Sequence, residues 1–239
     1  MTALVLFDVD GTLLLSGRAG VRAMTLAFER IFGVANAFEG VQIAGQTDSF
    51  LVSQALARAG LEDTREAHQQ FRDAYLDLLA DEILKPGTGT KGLMPGVHEL
   101  LSQIAAGGEM HLALLTGNYE RAARIKLEYF KLGQFFSWGA FGDEAHHRDE
   151  LARLALARAE TRRIPTAARA NAIVIGDTPQ DVQCARAIGA RAIAVATGGY
   201  TMRELEVAQA DVVLADLADI RAVMDVLAEA PGSRTQPAP

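Results

Sequence analysis

The feature that most constrains the fold is a hydrophobic run that ends in two acidic residues: residues 4–14 read LVLFDVDGTLL. A short apolar run of this kind is typical of a strand buried on both faces of a parallel sheet. Aspartate is depleted in strands, and two neighbouring carboxylates repel each other. Because folding alone gives little reason for Asp8 and Asp10, their position predicts chemistry where the first core strand ends.

Short apolar runs alternate with helical patterns along most of the chain. Strands are predicted at residues 3–7, 110–115, 138–141, 172–175, 190–196 and 211–214. Strands that alternate with helices favour a parallel sheet with helices on both faces. The predicted fold class is therefore α/β, with a doubly wound parallel sheet.

A long helical segment interrupts this alternation between the first two strands. Residues 16–84 contain three apolar stripes at helical spacing and no convincing core strand. This is far more than a crossover needs, so we predict an inserted helical subdomain, with residues 85–96, KPGTGTKGLMPG, as a flexible linker and hinge. The predicted domains are a core of residues 1–15 and 88–228, an insertion of residues 16–87 and a disordered tail of residues 229–239.

The charge balance excludes some classes of partner. The 239-residue chain carries a formal net charge of −7, which argues against nucleic acid or an anionic membrane surface. Asp8 and Asp10 come too early for a signal-peptide core, and no apolar run is long enough to cross a bilayer. The single cysteine, Cys184, allows no internal disulfide and favours a reducing compartment. We therefore expect a cytoplasmic protein.

Polar residues recur where predicted strands end. Thr116 follows the second strand and Asp177 follows the fourth, as Asp8 and Asp10 follow the first. The carboxyl ends of parallel strands form the ligand crevice of an open α/β sheet. Any one of these residues could be an ordinary turn residue, but turn formation alone is a poor explanation for polar residues at the ends of three strands.

Three segments carry a family resemblance. DVDGTL at residues 8–13, LLTGN at 114–118 and GDTPQD at 176–181 resemble the first, second and fourth motifs of the haloacid-dehalogenase-like superfamily of phosphohydrolases. The resemblance covers nearly the whole chain and is greatest to the phosphoglycolate-phosphatase-like branch. It implies a Rossmann-like core in which the helical insertion is a cap.

The resemblance also implies roles for individual residues. Asp8 would be a nucleophile that forms an aspartyl-phosphate, and Asp10 would be the general acid and base. The residues implied in Mg²⁺ binding are Asp8, Asp10 through its backbone carbonyl, Asp177 and Asp181. The residues implied in phosphate binding are Gly11, Thr12, Thr116, Gly117, Asn118 and Arg148. Asp181 is explained equally by the favourable charge of an acidic residue at a helix start.

One position departs from the family pattern. The third motif usually supplies a lysine before a helix, and the matching place in FGDEAHHRDELARLAL holds Arg148. Arginine can supply the same charge and can grip phosphate oxygens bidentately; a solvent-exposed arginine at a helix start is the alternative. Lys126 and Lys131 are rivals for the role, but both fall on the preceding helix.

The favoured function is a Mg²⁺-dependent phosphatase that acts on a small phosphorylated metabolite, a phosphoglycolate-like compound or a sugar phosphate. The alternatives are a phosphomutase of the same fold and a catalytically idle module that binds phosphorylated ligands. The presence of Asp10 disfavours a dehalogenase, and the lack of lysine in residues 16–84 disfavours a phosphonate hydrolase. The oligomeric state, monomer or homodimer, stays open.

Specificity is expected in the insertion, where the sequence is least informative. Candidates to face the substrate are Arg18, Arg22, Gln46, Thr47 and Asp48, and solvated helix or loop faces explain them equally.

Overall fold

A computed structural model describes residues 2–229 of the chain. Its main sheet has six parallel strands in the spatial order β5-β4-β1-β6-β7-β8. These strands are β1 (Ala3–Phe7), β4 (Met110–Leu115), β5 (Gly139–Ala140), β6 (Ala172–Gly176), β7 (Arg191–Val195) and β8 (Val212–Leu214). The predicted α/β class with a doubly wound parallel sheet is confirmed. All six predicted strands are present, although most differ at their ends by one residue.

Helices cover both faces of the sheet. The core helices are α4 (Val97–Gly107), α5 (Glu120–Tyr129), α6 (Arg148–Thr161), α7 (Thr166–Ala170), α8 (Pro179–Ala187), α9 (Met202–Val207) and α10 (Ile220–Ala228). Along β1, Val5 and Phe7 belong to the cluster that includes α4 and α10, whereas Leu4 and Leu6 belong to the cluster that includes α6 and α8. This alternation follows from the two-residue period of a strand, and it buries β1 completely.

The insertion contains three helices: α1 (Ala19–Phe32), α2 (Asp48–Arg58) and α3 (Arg65–Glu82). They lie where the three apolar stripes predicted them. Their shared core is rich in aromatic side chains, with Phe28 and Phe71 at a ring-centroid separation of 6.1 Å and Phe71 stacked on Tyr75 at 5.9 Å. This cluster is distinct from the two clusters of the sheet, and it also includes Tyr119, Ala122 and Ile125 at α5, so the insertion packs its apolar face against the core.

The two connections to the insertion pair with each other. Strands β2 (Leu14–Ser16) and β3 (Lys91–Leu93) form a separate two-stranded antiparallel sheet. The sequence predicted a flexible linker over residues 85–96, and the structure differs at residues 91–93 because they hydrogen-bond to the outgoing chain. Next to this pair, Gly17 packs against Gly87 so closely that a Cβ on Gly17 would lie 2.6 Å from the Cα of Gly87.

The predicted disordered tail falls outside the described residues, apart from Glu229, which ends α10. Within residues 2–229, no helix is both long enough and apolar enough to cross a membrane.

Candidate active site

The candidate active site is a cavity of about 320 Å³ between the carboxyl ends of β1, β4 and β6 and the insertion. The structure places eight of the ten predicted site residues on its wall: Asp8, Asp10, Gly11, Thr116, Gly117, Asn118, Arg148 and Asp177. The other two, Thr12 and Asp181, lie behind the wall and hold residues that line it.

Asp8 is fixed directly at the end of β1. Its backbone N–H donates to the Ile175 carbonyl at 3.0 Å, and its carboxylate lies 3.2 Å from a guanidinium nitrogen of Arg148. Burial raises the pKa of Asp8 to about 7, although the charge of Arg148 opposes the rise. A buried carboxylate with one cationic partner has few competing solvent contacts and is therefore well placed for chemistry inside the cavity.

Arg148 is buried, which excludes the alternative of a solvent-exposed arginine at a helix start. It is the first residue of α6, and its Nη2 pairs with Asp181, contacts Asp8 and donates to the Leu115 carbonyl at 3.2 Å. Burial alone would lower the pKa of Arg148, but Asp181 and Asp8 outweigh it and raise that pKa further. The guanidinium is thus a permanent positive charge beside the carboxylate of Asp8.

Asp181 lies at the start of α8, as its alternative explanation by a favourable helix-start charge predicted. It completes a capping box at the start of α8, where the Thr178 hydroxyl donates to its carboxylate at 2.6 Å and the Asp181 N–H donates back to that hydroxyl at 3.3 Å. The same carboxylate also pairs with Arg148. It therefore positions the guanidinium that contacts Asp8.

Asp177 follows β6 and faces the carboxylate of Asp8. The Thr12 hydroxyl donates to it at 3.1 Å. Burial, together with the charges of Asp181 and Asp8, raises the pKa of Asp177 well above its usual range. A Cβ on Gly11 would lie 2.4 Å from the Asp177 carboxylate, and a Cβ on Gly198 would lie 1.7 Å from it. Any residue other than glycine at either position would therefore displace this carboxylate.

These carboxylates fit a hard cation. Asp8, Asp177 and Asp181 are buried and offer oxygen atoms that all lie within 4.8 Å of one another. Arg148 pairs with two of these three buried carboxylates, Asp8 and Asp181, and the remaining excess of negative charge is of the kind that a metal ion with oxygen ligands relieves. Because Asp8 and Asp177 line the cavity, whereas Asp181 lies behind its wall and is engaged by Arg148 and Thr178, Asp8 and Asp177 are the better suited pair.

Asp10 belongs to a second charged group, which the sequence did not reveal. Its carboxylate accepts hydrogen bonds from Lys126 Nζ at 2.5 Å and from the Asn118 side-chain amide at 2.9 Å. Lys126 also donates to the Asn118 side-chain oxygen at 2.6 Å, and the Asn118 amide donates to the Thr116 hydroxyl at 2.8 Å. One connected network thus joins the ends of β1 and β4.

Lys126 was considered only as a rival to Arg148, and the structure brings both residues to the cavity. It is buried on the inner face of α5, which also carries Ala122, Ala123 and Leu127. The available signal was its spacing, since a lysine three or four residues from apolar neighbours lies on the buried stripe of the helix. Its partner, Asp10, is 116 residues away along the chain, so the residues around Lys126 give no indication of this contact.

The insertion closes the cavity through the segment that starts α2. The Asp48 N–H donates to the Gly117 carbonyl at 2.7 Å, and the Asp48 carboxylate accepts the Tyr119 N–H at 2.8 Å. The Thr47 hydroxyl donates to the His146 carbonyl at 2.8 Å. A Cβ on Gly117 would lie 2.1 Å from the carbonyl oxygen of Gln46, so insertion and core are in close backbone contact here.

Two of the five candidates for facing the substrate line the cavity, and three do not. Gln46 and Asp48 line the cavity, and Thr47 is buried in the contact with the core. Arg22 donates to Glu82 at 2.8 Å and to the Gly17 carbonyl at 2.6 Å, and neither Arg22 nor Arg18 is on the cavity wall. The acidic candidate therefore faces the cavity, and the two basic ones do not.

The sequence matches the family model of haloacid dehalogenase-like hydrolases over residues 5–186. The chain belongs to this family. It is an enzyme, a hydrolase, and the Rossmann-like core predicted from the resemblance is confirmed.

Curated relatives agree with this membership. The chain is 30% identical to phosphoglycolate phosphatase 1 of Pseudomonas aeruginosa, over 95% of this chain and 81% of that protein. It is 29% identical to a phosphoglycolate phosphatase of Pectobacterium atrosepticum, over 90% of this chain and 88% of that protein.

Solved structures share the fold. A hydrolase from Pseudomonas syringae superposes with a TM-score of 0.71 at 23% identity, over 96% of this chain and all of that chain. A variant of CbbY from Rhodobacter sphaeroides, in complex with xylulose-(1,5)bisphosphate, superposes with a TM-score of 0.70 at 20% identity, over 92% and 96% of the two chains. At these identities the similarity concerns the fold alone.

Proposed function

We propose that the chain is a Mg²⁺-dependent phosphatase that hydrolyses a small phosphomonoester in two steps, through an aspartyl-phosphate on Asp8. The observation that carries the proposal is that the two carboxylates after β1 have different cationic partners. Arg148 contacts Asp8, and Lys126 contacts Asp10. Both carboxylates line one cavity. A nucleophile beside a second proton-transferring carboxylate is what a double displacement at phosphorus needs.

In the first step, a carboxylate oxygen of Asp8 attacks phosphorus, and the bond from phosphorus to the ester oxygen breaks. The leaving alkoxide takes a proton from the carboxyl group of Asp10. Arg148, the Thr116 hydroxyl and the backbone N–H groups at Gly117 and Asn118 bind the phosphoryl oxygens, where they stabilise developing negative charge.

In the second step, water attacks phosphorus and transfers a proton to the Asp10 carboxylate, and the bond from phosphorus to Asp8 breaks. The products are inorganic phosphate and the regenerated enzyme. Lys126 and Asn118 hold the Asp10 carboxylate, which orients it for this proton transfer. Mg²⁺ held by Asp8 and Asp177 would reduce the repulsion between the phosphate and these carboxylates.

Other features of the chain support the proposal. The curated relatives are called phosphoglycolate phosphatases, which favours phosphate-ester hydrolysis over the other reactions of the family. We further propose that residues 16–87 act as a cap on a core of residues 1–15 and 88–228. We propose a cytoplasmic location because the single cysteine, Cys184, is unpaired, and proteins without disulfides are typical of reducing compartments.

The test is phosphate release from a panel of small phosphomonoesters, with Mg²⁺ and with the metal removed by a chelator. We expect Asp8→Asn and Asp10→Asn to reduce kcat by about a thousandfold or more, and chelation to abolish turnover. Asp216→Asn is the matched control, because Asp216 accepts the Ala218 N–H in an exposed hydrogen bond and does not line the cavity.

The outcomes separate the proposal from its alternatives. Phosphate release that survives Asp8→Asn would contradict the proposed intermediate. Transfer of phosphate between positions of a sugar, without release to water, would indicate the phosphomutase. Binding of esters without any turnover would indicate the idle module.

A further inference from the structure

The part of the cavity that the insertion supplies is mainly apolar. Its described side chains include Val21, Met24, Ile43, Leu51 and Tyr75. This wall lies opposite the strand ends that bind the phosphoryl group in the proposed function, so it would face the leaving group of the ester. At about 320 Å³, the cavity is at the small end of ligand pockets.

Asp48 is the charged residue that the insertion places on this wall, among residues 2–229. It is held from both sides by backbone, since its N–H donates to the Gly117 carbonyl and its carboxylate accepts the Tyr119 N–H. These contacts fix the position of the carboxylate while the insertion is closed over the core.

The cations on the wall are already paired. Within the described chain they are Lys126 and Arg148; Lys126 contacts Asp10, and Arg148 contacts Asp8. Four wall carboxylates, including Asp48, thus oppose two cations. A divalent metal ion would balance that excess, and the described residues of the wall include no unpaired cation for a second anionic group besides the phosphoryl group.

We infer that the leaving group of the substrate is electrically neutral, a short alcohol, polyol or small sugar, and that Asp48 excludes leaving groups that carry a carboxylate or a second phosphate. This inference rests on the proposed function. It sets the substrate apart from phosphoglycolate, which carries a carboxylate, and from sugar bisphosphates. The physical basis is repulsion between like charges in a partly buried site, where water screens them weakly.

The experiment compares two esters that differ in one group. Glycerol 3-phosphate carries a hydroxymethyl group where 3-phosphoglycerate carries a carboxylate, and phosphoglycolate and 2-hydroxyethyl phosphate form a second such pair. At pH 8, with Mg²⁺ present, we expect kcat/KM to favour the neutral member of each pair by more than tenfold. An equal or higher kcat/KM for the anionic members would overturn the inference.

Asp48→Asn tests the residue itself. The asparagine oxygen can still accept the Tyr119 N–H, so the backbone contacts can persist while the charge is removed. We expect the preference to fall to within about threefold, through a rise in kcat/KM for the anionic members. A preference that remains unchanged would overturn the role of Asp48.

Asp143→Asn is the matched control for that substitution. The Asp143 carboxylate accepts the Glu120 N–H at 3.2 Å, one residue along from the N–H that Asp48 accepts, but Asp143 does not line the cavity. We expect this variant to keep the wild-type preference. A preference lost equally in both variants would contradict a specific role for Asp48.

A binding measurement keeps the inference testable without any change at Asp48. In the Asp8→Asn protein, calorimetry should give a Kd at least tenfold lower for glycerol 3-phosphate than for 3-phosphoglycerate; equal affinities would overturn the inference. Loss of the proposed function gives a different pattern: either no ester of the panel is hydrolysed, or hydrolysis persists in Asp8→Asn.

Discussion

The core wall and the insertion wall of the cavity are built on different principles. The core wall consists of strand ends that carry carboxylates with individual charge partners, such as Asp8 with Arg148 and Asp10 with Lys126. The insertion wall is mainly apolar, and its charged residue Asp48 is held by the core backbone: the Asp48 N–H donates to the Gly117 carbonyl, and the Asp48 carboxylate accepts the Tyr119 N–H. The difference suggests that the reaction depends on the core and the choice of substrate on the insertion.

The largest effect that would test this contrast is expected at Arg148. Arg148→Met leaves Asp8 and Asp181 buried without their shared cation, so we expect the free energy of unfolding to fall by about 3–5 kcal/mol. Urea denaturation measures the change. Arg158→Met on the same helix is the control: Arg158 pairs with Glu144 in a partly exposed position and should cost about 1 kcal/mol or less. Equal losses in the two variants would show that the buried pairs of Arg148 stabilise the protein no more than a partly exposed ion pair does.

Lys126 provides the next test, because its charge acts on both walls: it pairs with Asp10 and lowers the pKa of Asp48. Lys126→Met removes the cation that holds Asp10, so we expect kcat to fall about a hundredfold with a smaller change in KM, and Lys126→Arg to recover part of the loss. Steady-state kinetics on the best ester of the panel gives both parameters. Lys131→Met, at an exposed position of the neighbouring turn, should leave both unchanged; a loss confined to KM in Lys126→Met would assign the lysine to substrate binding instead.

The pH dependence of stability tests the insertion wall. Burial raises the pKa of Asp48 from 3.8 to about 7, with Lys126 opposing the rise and Asp10 and Asp143 adding to it. Folding thus favours the protonated carboxyl, whose stabilising contribution is complete below pH 4 and is lost as the pH rises through 7. Relative to the wild type, Asp48→Asn should gain about 2 kcal/mol in the free energy of unfolding between pH 5 and pH 7.

Urea denaturation at pH 5, 6 and 7 measures this gain. Asp216→Asn is again the control and should show no such trend. A difference between Asp48→Asn and the wild type that does not change with pH would indicate that Asp48 keeps an ordinary pKa in the folded protein.

The smallest effect is expected where the two walls touch. A Cβ on Gly117 would lie 2.1 Å from the Gln46 carbonyl oxygen, so Gly117→Ala should push the insertion away from the core and reduce kcat/KM by about tenfold. Gly133→Ala is the control, because its nearest neighbour would be a flexible Glu128 side chain at 3.9 Å. Unchanged kinetics in Gly117→Ala would show that turnover does not depend on this contact.

The sequence was most informative where a local pattern determines the structure. The apolar run before Asp8 gave the position of β1, and the apolar stripes gave the three helices of the insertion. Arg148 could be placed because it begins a helix after a predicted strand. Each of these inferences uses only residues that are close together along the chain.

The contacts that the sequence did not reveal join residues far apart along the chain. Lys126 meets Asp10 across 116 positions, and Asp48 meets the Tyr119 N–H across 71. A backbone N–H is present at every residue except proline, so its use as a partner leaves no trace in the sequence. The pairing of Leu14–Ser16 with Lys91–Leu93 escaped prediction for a further reason: strands of three residues are too short to show a clear alternation of apolar and polar residues.

That short pairing has a consequence for how the insertion can move. Two unpaired connections would act as independent tethers and would allow the insertion to twist and slide as well as tilt. Because β2 and β3 are hydrogen-bonded to each other, they form one ribbon, which bends more readily than it shears. We therefore expect the insertion to rotate about a single axis near Gly17 and Gly87, so that it returns to the same register over the strand ends each time it closes.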